Sequence, residues 1–372
     1  MAVPFVDLNA IHEDIRDILM NAIQDVVTSN HFIMGPQVTE FEKEFAAFLN
    51  VEHAFGVSSG SDALVMALHA LGIGRGDEVI TTPFTFFATV EAILRVGAVP
   101  RFADIESESF NLDPEAVEDA ISPKTKAILV VHLYGRSANM TALSAVAKRH
   151  GLGLIEDAAQ SVGAEWDGKR CGGHGDVGCF SFFPAKNLGA FGDGGAVTTQ
   201  DPSLAEKLKI LRIHGSEKRY QHTMLGGNYR LDAIQAAVLR LKLPYVEEWT
   251  TARQDAAYRY RTLFTQTGLM DAITLPDPGP GRHVYNQFVL RVLDGKRDTL
   301  FDELGRREIG RAVYYALPCH KQPLIQDMGL GNVAMPEAER AAHECLAIPV
   351  APGVTAEQQE EVVTAIAEVL CD

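Results

Sequence analysis

From residue 50 to 200, short apolar runs alternate with stretches whose apolar positions recur at helical spacing. Val51–Ser58, Glu78–Thr82, Val99–Asp104, Lys126–His132, Leu152–Asp157, Gly178–Phe183 and Gly195–Thr199 read as strands, and they often end in small, acidic or glycine residues. Between several of them lie helix-length patterns at Asp62–Leu71, Ala88–Val96, Pro114–Ile121 and Met140–His150. This alternation predicts an α/β fold with a mainly parallel seven-stranded sheet, helices on both faces and ligands beyond the carboxyl ends of the strands.

Ahead of the sheet, Ile11, Ile15, Ile18, Leu19, Ala22, Ile23 and Val26 keep helical spacing over Ile11–Thr28. After the extended turn Phe32-Ile33-Met34-Gly35-Pro36 a second helix is predicted from Val38 to Leu49, completing an N-terminal helical arm. Beyond the sheet, Leu231–Leu243 and Val246–Thr267 read as helices broken at Pro244. The cluster Pro276-Asp277-Pro278-Gly279-Pro280-Gly281 reads as a linker. Strands at Val284–Val292 and Arg311–Tyr315, with helices at Arg297–Arg307, Pro336–Leu346 and Ala356–Leu370, predict a smaller C-terminal α/β domain. The expected division is residues 1–250, the arm and large domain, and residues 251–372.

With 372 residues, 47% of them hydrophobic and 22% charged, the chain is long enough to bury the cores of two domains. Its 33 lysines and arginines face 49 acids, a formal charge of −16, which argues against a nucleic-acid partner or an anionic membrane surface. Any phosphate must therefore be held locally. The start, Met1-Ala2-Val3-Pro4-Phe5-Val6-Asp7-Leu8, lacks a basic segment followed by an apolar one, and no later run is long enough to span a bilayer, so the cytoplasm is the expected location. Five cysteines, Cys171, Cys179, Cys319, Cys345 and Cys371, are odd in number and include no CxxC pair. They argue against a disulfide framework or zinc site, and no metal is expected.

Candidate chemistry concentrates in Glu156-Asp157-Ala158-Ala159-Gln160, which closes a predicted strand, and in Ser181-Phe182-Phe183-Pro184-Ala185-Lys186-Asn187-Leu188-Gly189-Ala190. A carboxylate at a strand end and a lysine on a glycine-bounded loop suit pyridoxal 5'-phosphate (PLP). The acid keeps the pyridine nitrogen protonated, and the lysine holds the aldehyde as a Schiff base and then moves protons. Most lysines are solvated surface charges. Lys186 instead lies in a nearly uncharged stretch, Gly178–Phe191, of phenylalanines, a proline and small residues, where burial would lower its pKa and free its amine. Glu156 is either the rival of Asp157 or a solvated neighbour. Ser58-Ser59-Gly60-Ser61-Asp62-Ala63-Leu64 follows a predicted strand and opens a helix, which aims free N–H groups at an anion. The competing reading is a polar turn in which Ser61 or Asp62 merely caps the helix. Ser181 offers a hydroxyl to the same phosphate.

Together with Gly192-Asp193-Gly194-Gly195 and Gly226-Gly227-Asn228-Tyr229-Arg230-Leu231-Asp232, these segments closely resemble the nucleotide-sugar aminotransferases of the DegT/DnrJ/EryC1/StrS family, PLP enzymes of the aspartate-aminotransferase fold (fold type I). The resemblance runs from Phe5-Val6-Asp7-Leu8 through Phe32-Ile33-Met34-Gly35-Pro36 to Tyr314-Tyr315-Ala316-Leu317-Pro318-Cys319-His320. It implies that Lys186 bonds the cofactor, Asp157 pairs with the pyridine nitrogen and Gln160 contacts the phenolic oxygen. It further implies that Phe86 stacks on the ring, and that Gly60, Ser61, Asp62 and Ser181 bind the phosphate. A core phenylalanine is the competing reading of Phe86 and the better one for Phe84 and Phe87. Asn228 is implied to reach the phosphate from a partner subunit, making a homodimer with shared sites. Ser61 stands where family members often have threonine, and both offer an N–H and a hydroxyl. Lys186 matters more, because relatives that dehydrate a sugar carry histidine there.

The resemblance implies that L-glutamate leaves its amino group on the cofactor as pyridoxamine phosphate and departs as 2-oxoglutarate. A keto sugar linked to a nucleotide then takes up that group, giving an amino sugar for surface polysaccharide, lipopolysaccharide or natural-product glycosylation. His132-Leu133-Tyr134-Gly135 and the run from Lys186 to Gly195 look most like enzymes acting on 3-keto sugars, either UDP-linked 2-acetamido or dTDP-linked 6-deoxy hexoses. Lys218, Arg219, Tyr220 and His222 form a basic, aromatic patch that would meet a diphosphate or simply a solvated loop. Tyr314 and His320 are candidates for sugar or phosphate contacts, with a structural histidine as the alternative, and His132 and Tyr134 are expected behind the crevice. Two rivals are a PLP-dependent sugar dehydratase, disfavoured by Lys186, and a non-catalytic regulatory protein, disfavoured by the retention of Asp157, Gln160, Ser181 and Lys186.

Overall fold

The computed structural model describes residues 2–371. The seven apolar runs become strands β1 (His53–Val57), β2 (Glu78–Thr81), β3 (Val99–Phe102), β4 (Thr125–Val131), β5 (Gly153–Asp157), β6 (Val177–Ser181) and β7 (Gly195–Thr199). They form one sheet in the order β1-β7-β6-β5-β4-β2-β3. The pairings from β6 across to β3 are parallel, and β7 runs antiparallel to both its neighbours. In β4, Ile128, Leu129 and Val130 are all fully buried, as expected where helices cover both faces.

The helices ahead of and between these strands are α1 (Leu8–His12), α2 (Arg16–Ser29), α3 (Pro36–Leu49), α4 (Gly60–Ala70), α5 (Ala88–Arg95), α6 (Pro114–Ala120) and α7 (Met140–His150). After the sheet come α8 (Pro202–Leu211), α9 (Ala233–Lys242) and α10 (Val246–Thr267). Helix α4 is apolar nearly all round and buried from Ala63 to Leu68, so it is a core element and its first turn is fixed against the sheet. The arm is not one continuous helix: α1, capped by Asp7, ends at His12, and α2 begins at Arg16 and packs Leu19 and Val26 inward against α9.

The C-terminal part builds a second core on a three-stranded antiparallel sheet of β8 (Ile273–Thr274), β9 (Phe288–Val292) and β10 (Cys345–Ile348), flanked by α11 (Arg297–Arg306) and, further on, α12 (Pro323–Asp327), α13 (Pro336–Glu344) and α14 (Ala356–Leu370). Helix α10 serves both cores, with Val246 packed beside α3 and Ala256, Tyr260 and Phe264 in the second. Three expectations change here. Val284–Gln287 is not strand, because the amides of Val284 and Gln287 bond to the carbonyls of Gly135 and Tyr134. The predicted helix from Pro336 stops at Glu344, and Leu346 pairs within β10. Arg311–Tyr315 is not a strand either. Only Ala312 bridges to Ala347, and the chain then turns so that the Cys319 amide reaches the Pro83 carbonyl at 2.7 Å. Among the described residues no helix is long and apolar enough to cross a membrane.

Candidate active site

Successive residues of a strand face opposite sides, so the two acids that end β5 have opposite surroundings. Glu156, fully buried, accepts from the amides of Gly172, His174 and Gly175 at 2.6 to 2.7 Å and contacts His132 Nε2 at 2.9 Å. The Ala138 amide donates to His132 Nδ1 at 3.1 Å, which requires a lone pair there and makes Nε2 the donor to Glu156. Burial alone would raise the Glu156 pKa, but the bond from His132 and those from the loop outweigh it and hold the carboxyl below its usual range. Cys171 completes a buried group with these two, all ligand atoms lying within 4.8 Å, yet the lone pairs of Glu156 and His132 are already taken by hydrogen bonds. Glu156 is thus the anchor of the 172–175 loop and His132 its partner, neither turned toward the crevice. Replacing Glu156 by glutamine sets an amide NH2 against backbone N–H donors. Loss of about 3 kcal/mol is expected in urea unfolding of the apo-protein, and a loss below about 0.5 kcal/mol would contradict this role.

Asp157 faces the other way. It accepts from Thr89 Oγ1 at 2.8 Å and the Ala159 amide at 3.2 Å. Burial pushes its pKa up, opposed by those bonds and by the charge of Lys186. Lys186, half-buried, has its pKa lowered by burial to about 8, with Asp157 opposing. Its turn is pinned from several sides. The Lys186 amide bonds to the Phe183 carbonyl at 2.9 Å, the Ala190 amide to the Phe182 carbonyl at 2.7 Å and Asn187 Nδ2 to the Val284 carbonyl at 3.1 Å, while buried Lys242 donates to the Gly189 carbonyl. The turn therefore brings Lys186 to the carboxyl end of the sheet, within electrostatic reach of Asp157, where the strand pattern predicts a ligand crevice.

Around this pair, Gln160 Oε1 accepts from the Tyr134 amide at 2.7 Å, which leaves Nε2 as the outward donor, 3.4 Å from the Tyr315 hydroxyl. Phe86 is 62% exposed while Phe84 is fully buried and Phe87 is packed partly against the core, so of the three Phe86 alone offers an open ring. In α4 the cap is Ser59, not Ser61 or Asp62: Ser59 Oγ accepts the Asp62 amide at 3.1 Å. The Asp62 carboxylate is held by Ser58 at 2.7 Å and Arg95 at 3.4 Å. That leaves the amides of Gly60 and Ser61 in the open first turn. Gly60 lies so close to Ser181 that an added Cβ would meet the serine Cβ at 2.7 Å, so glycine is what allows the helix start and the end of β6 to share one concavity.

Other expected contacts spread out. His320 is completely buried and bonded to Glu339 at 3.0 Å, and burial lowers its pKa, which is the structural alternative. Tyr134 is buried and donates to the Tyr314 carbonyl, tying that segment to the 133–135 turn. Lys218, Arg219, Tyr220 and His222 sit on an exposed two-stranded hairpin, with the Arg219 guanidinium 5.1 Å from the Tyr220 ring centre. Asn228 is exposed; its backbone bridges to Ile213, and the next carbonyl, of Tyr229, accepts the Ser58 amide at 3.0 Å.

Two groups escaped the sequence reading. Thr89 touches Asp157 directly, and Tyr315, not Tyr314, contacts Gln160 and has its pKa raised by burial and by the charge of Asp157. Thr85 and Phe86 lie ahead of α5 and Thr89 within it, so no single periodicity in the chain marks the threonines.

The residues fit PLP: an amine of lowered pKa, a buried carboxylate opposite it, an amide donor, an open aromatic ring, and two amides with a hydroxyl in a glycine-made concavity. Comparison with known proteins agrees. A "Pleiotropic regulatory protein" of Geobacillus stearothermophilus is 46% identical over 99% of this chain and 98% of its own length. A dTDP-3-amino-3,4,6-trideoxy-alpha-D-glucose transaminase of Streptomyces venezuelae is 42% identical over 98% of this chain and 96% of its own. A UDP-N-acetyl-3-dehydro-alpha-D-glucosamine 3-aminotransferase of Acidithiobacillus ferrooxidans is 42% identical over 99% and 98%. The crystal structure of S. venezuelae DesV in complex with a ketimine intermediate superposes with a TM-score of 0.94 at 42% identity, covering 99% of this chain and 98% of that one. That of NtdA from Bacillus subtilis with bound cofactor PMP gives 0.93 at 32%, covering 100% and 86%. Residues 13–367 match the profile of the DegT/DnrJ/EryC1/StrS aminotransferase family, and the chain belongs to that family.

Proposed function

We propose that the protein is a PLP-dependent aminotransferase that moves an amino group from L-glutamate to the 3-keto carbon of a nucleotide-activated hexose. The observation that carries this reading is the pinned 182–190 turn, which brings Lys186 to the carboxyl end of the sheet within electrostatic reach of buried Asp157 at the end of β5. Bound PLP supplies an aldehyde carbon that exchanges amines and a protonated ring that stabilises negative charge beside it. The neutral Lys186 Nζ would hold that aldehyde and, when free, would take and return a proton at the substrate's α-carbon. Asp157 would keep a proton on the ring nitrogen, Gln160 Nε2 would donate to the phenolic oxygen and Phe86 would cover a ring face. The amides of Gly60 and Ser61 and the Ser181 hydroxyl would take the phosphate, with Asp62 fixing the turn from behind.

The 3-keto position is supported by the names of the Streptomyces and Acidithiobacillus relatives, one dTDP-linked and one UDP-linked. Lys218, Tyr220 and His222, on the exposed hairpin, and Tyr314 are the substrate-side candidates, and the cytoplasm is the proposed location. A homodimer with Asn228 completing the partner's phosphate site is supported by large apolar side chains that one chain leaves exposed, among them Ile33, Phe183 and Leu225. Mixing inactive Lys186→Ala chains with inactive Asn228→Ala chains should restore part of the activity; no recovery after proven subunit exchange would remove the shared site.

The reading itself is tested by spectroscopy and mass detection. Purified protein should bind PLP with a visible absorbance that bleaches on adding L-glutamate, after which a panel of keto nucleotide sugars identifies the acceptor. A protein that takes up no PLP would instead favour the second reading, a regulatory protein, for which the name of the Geobacillus relative speaks.

A further inference from the structure

The turn that exposes Phe86 carries two inward hydroxyls. Thr85, Thr89 and Asp157 are all buried, with Thr89 Oγ1 2.8 Å from Asp157 Oδ2 and Thr85 Oγ1 3.0 Å from Thr89 Oγ1. An ionised carboxylate only accepts, so the single Thr89 hydrogen goes to Asp157, and Thr85 must then donate to Thr89. This gives a one-way chain, Thr85 to Thr89 to Asp157, with the Ala159 amide on the other carboxylate oxygen. We propose that Thr89, backed by Thr85, is a positioning residue that holds Asp157 ionised and aimed, so that Asp157 keeps the cofactor's ring nitrogen protonated.

The chemistry follows from where the site lies. A carboxylate out of water favours its neutral form, and a neutral Asp157 would give the ring nitrogen no counter-charge. A hydroxyl donor satisfied from behind by a second hydroxyl stabilises the anion more than an isolated one, because bonds in a chain polarise each other. Burial raises the Asp157 pKa, and the bond from Thr89 is the foremost group opposing that rise. The segment that leads into α5 would thus serve the ring twice, with Phe86 on its face and the threonines on its nitrogen.

This inference rests on the reading of Asp157 as the partner of the ring nitrogen, and the test separates the two. Holoenzymes of wild type, Thr89→Val and Thr89→Ser are loaded with PLP labelled with 15N in the ring. Each is followed by the 15N resonance and by the single-turnover rate with L-glutamate. Thr89→Val should move the resonance toward that of a neutral pyridine and slow the half-reaction about 10- to 100-fold, the scale of a lost hydrogen bond to a charged group. Thr89→Ser should restore both. In an Asp157→Asn background, Thr89→Val should change the rate less than about twofold, since residues that act as one unit are non-additive. An unmoved resonance, or an equal loss in both backgrounds, overturns the inference. Should Thr89→Val not fold, Thr85→Val, which reaches Asp157 only through Thr89, carries the test with the same sign. Wild-type protein that takes up no PLP would remove the reading of Asp157 itself. Wild type that loads and reacts while Thr89→Val matches it would remove only the role of Thr89.

Discussion

Lys186→Ala is expected to lower turnover about 10⁴-fold or more, the upper end of what one positioned proton-transfer group contributes, with the covalent attachment lost as well. The variant should still fold, because the 182–190 turn is held by its own backbone bonds, by Asn187 and by Lys242 rather than by the Lys186 side chain. Borohydride reduction followed by intact-protein mass measurement should add the cofactor's mass less one oxygen atom to wild type and nothing to Lys186→Ala; equal labelling of both would move the attachment point elsewhere. The same amine sets a pH dependence. Its pKa lies at about 8, so below that value it is an ammonium and cannot attack. Covalent uptake of PLP by the apo-protein should therefore quicken from about pH 7 to about pH 9 and level off above, the reverse of an acid-catalysed step.

Asp157→Asn is expected to keep the cofactor but slow the glutamate half-reaction about 10²- to 10³-fold, the scale of removing one partner from a buried charge pair. Size and shape are nearly unchanged, and the Thr89 hydroxyl can still donate to the asparagine oxygen, so folding should survive. What is lost is the negative charge opposite the ring nitrogen. Stopped-flow absorbance after addition of L-glutamate checks this, and a rate within about threefold of wild type would take Asp157 out of the chemistry. The contrast with Glu156→Gln is informative: of two adjacent acids on one strand, one variant should lose stability and the other rate.

That contrast also shows what could be read from the chain. The seven strands were legible because both faces of the sheet are covered, so each appears as a continuous apolar run between polar helices. Lys186 was legible because its surroundings are uncharged, and Asp157 because it ends a strand. Glu156 and Asp157 could be separated only by facing, which depends on register, and the three amides that consume Glu156 come from a loop with no pattern of its own. Arg311–Tyr315 has the composition of a strand, but only Ala312 finds a strand partner and Tyr315 packs instead against the rings of Phe84 and Phe86, which overrides that propensity. Thr89 and Tyr315 gave no signal because a hydroxyl in an apolar turn looks the same whether it meets a carboxylate or a carbonyl.

Gly60 and Ser181 also constrain the order of assembly. They belong to β1–α4 and to β6, elements that are far apart in sequence and do not pair with each other; β7, the latest of the seven strands in the chain, lies between β1 and β6. The proposed phosphate seat is therefore complete only once β7 has inserted between β1 and β6. The cofactor would act as a late lock, stabilising the completed sheet by mass action while leaving earlier folding intermediates untouched.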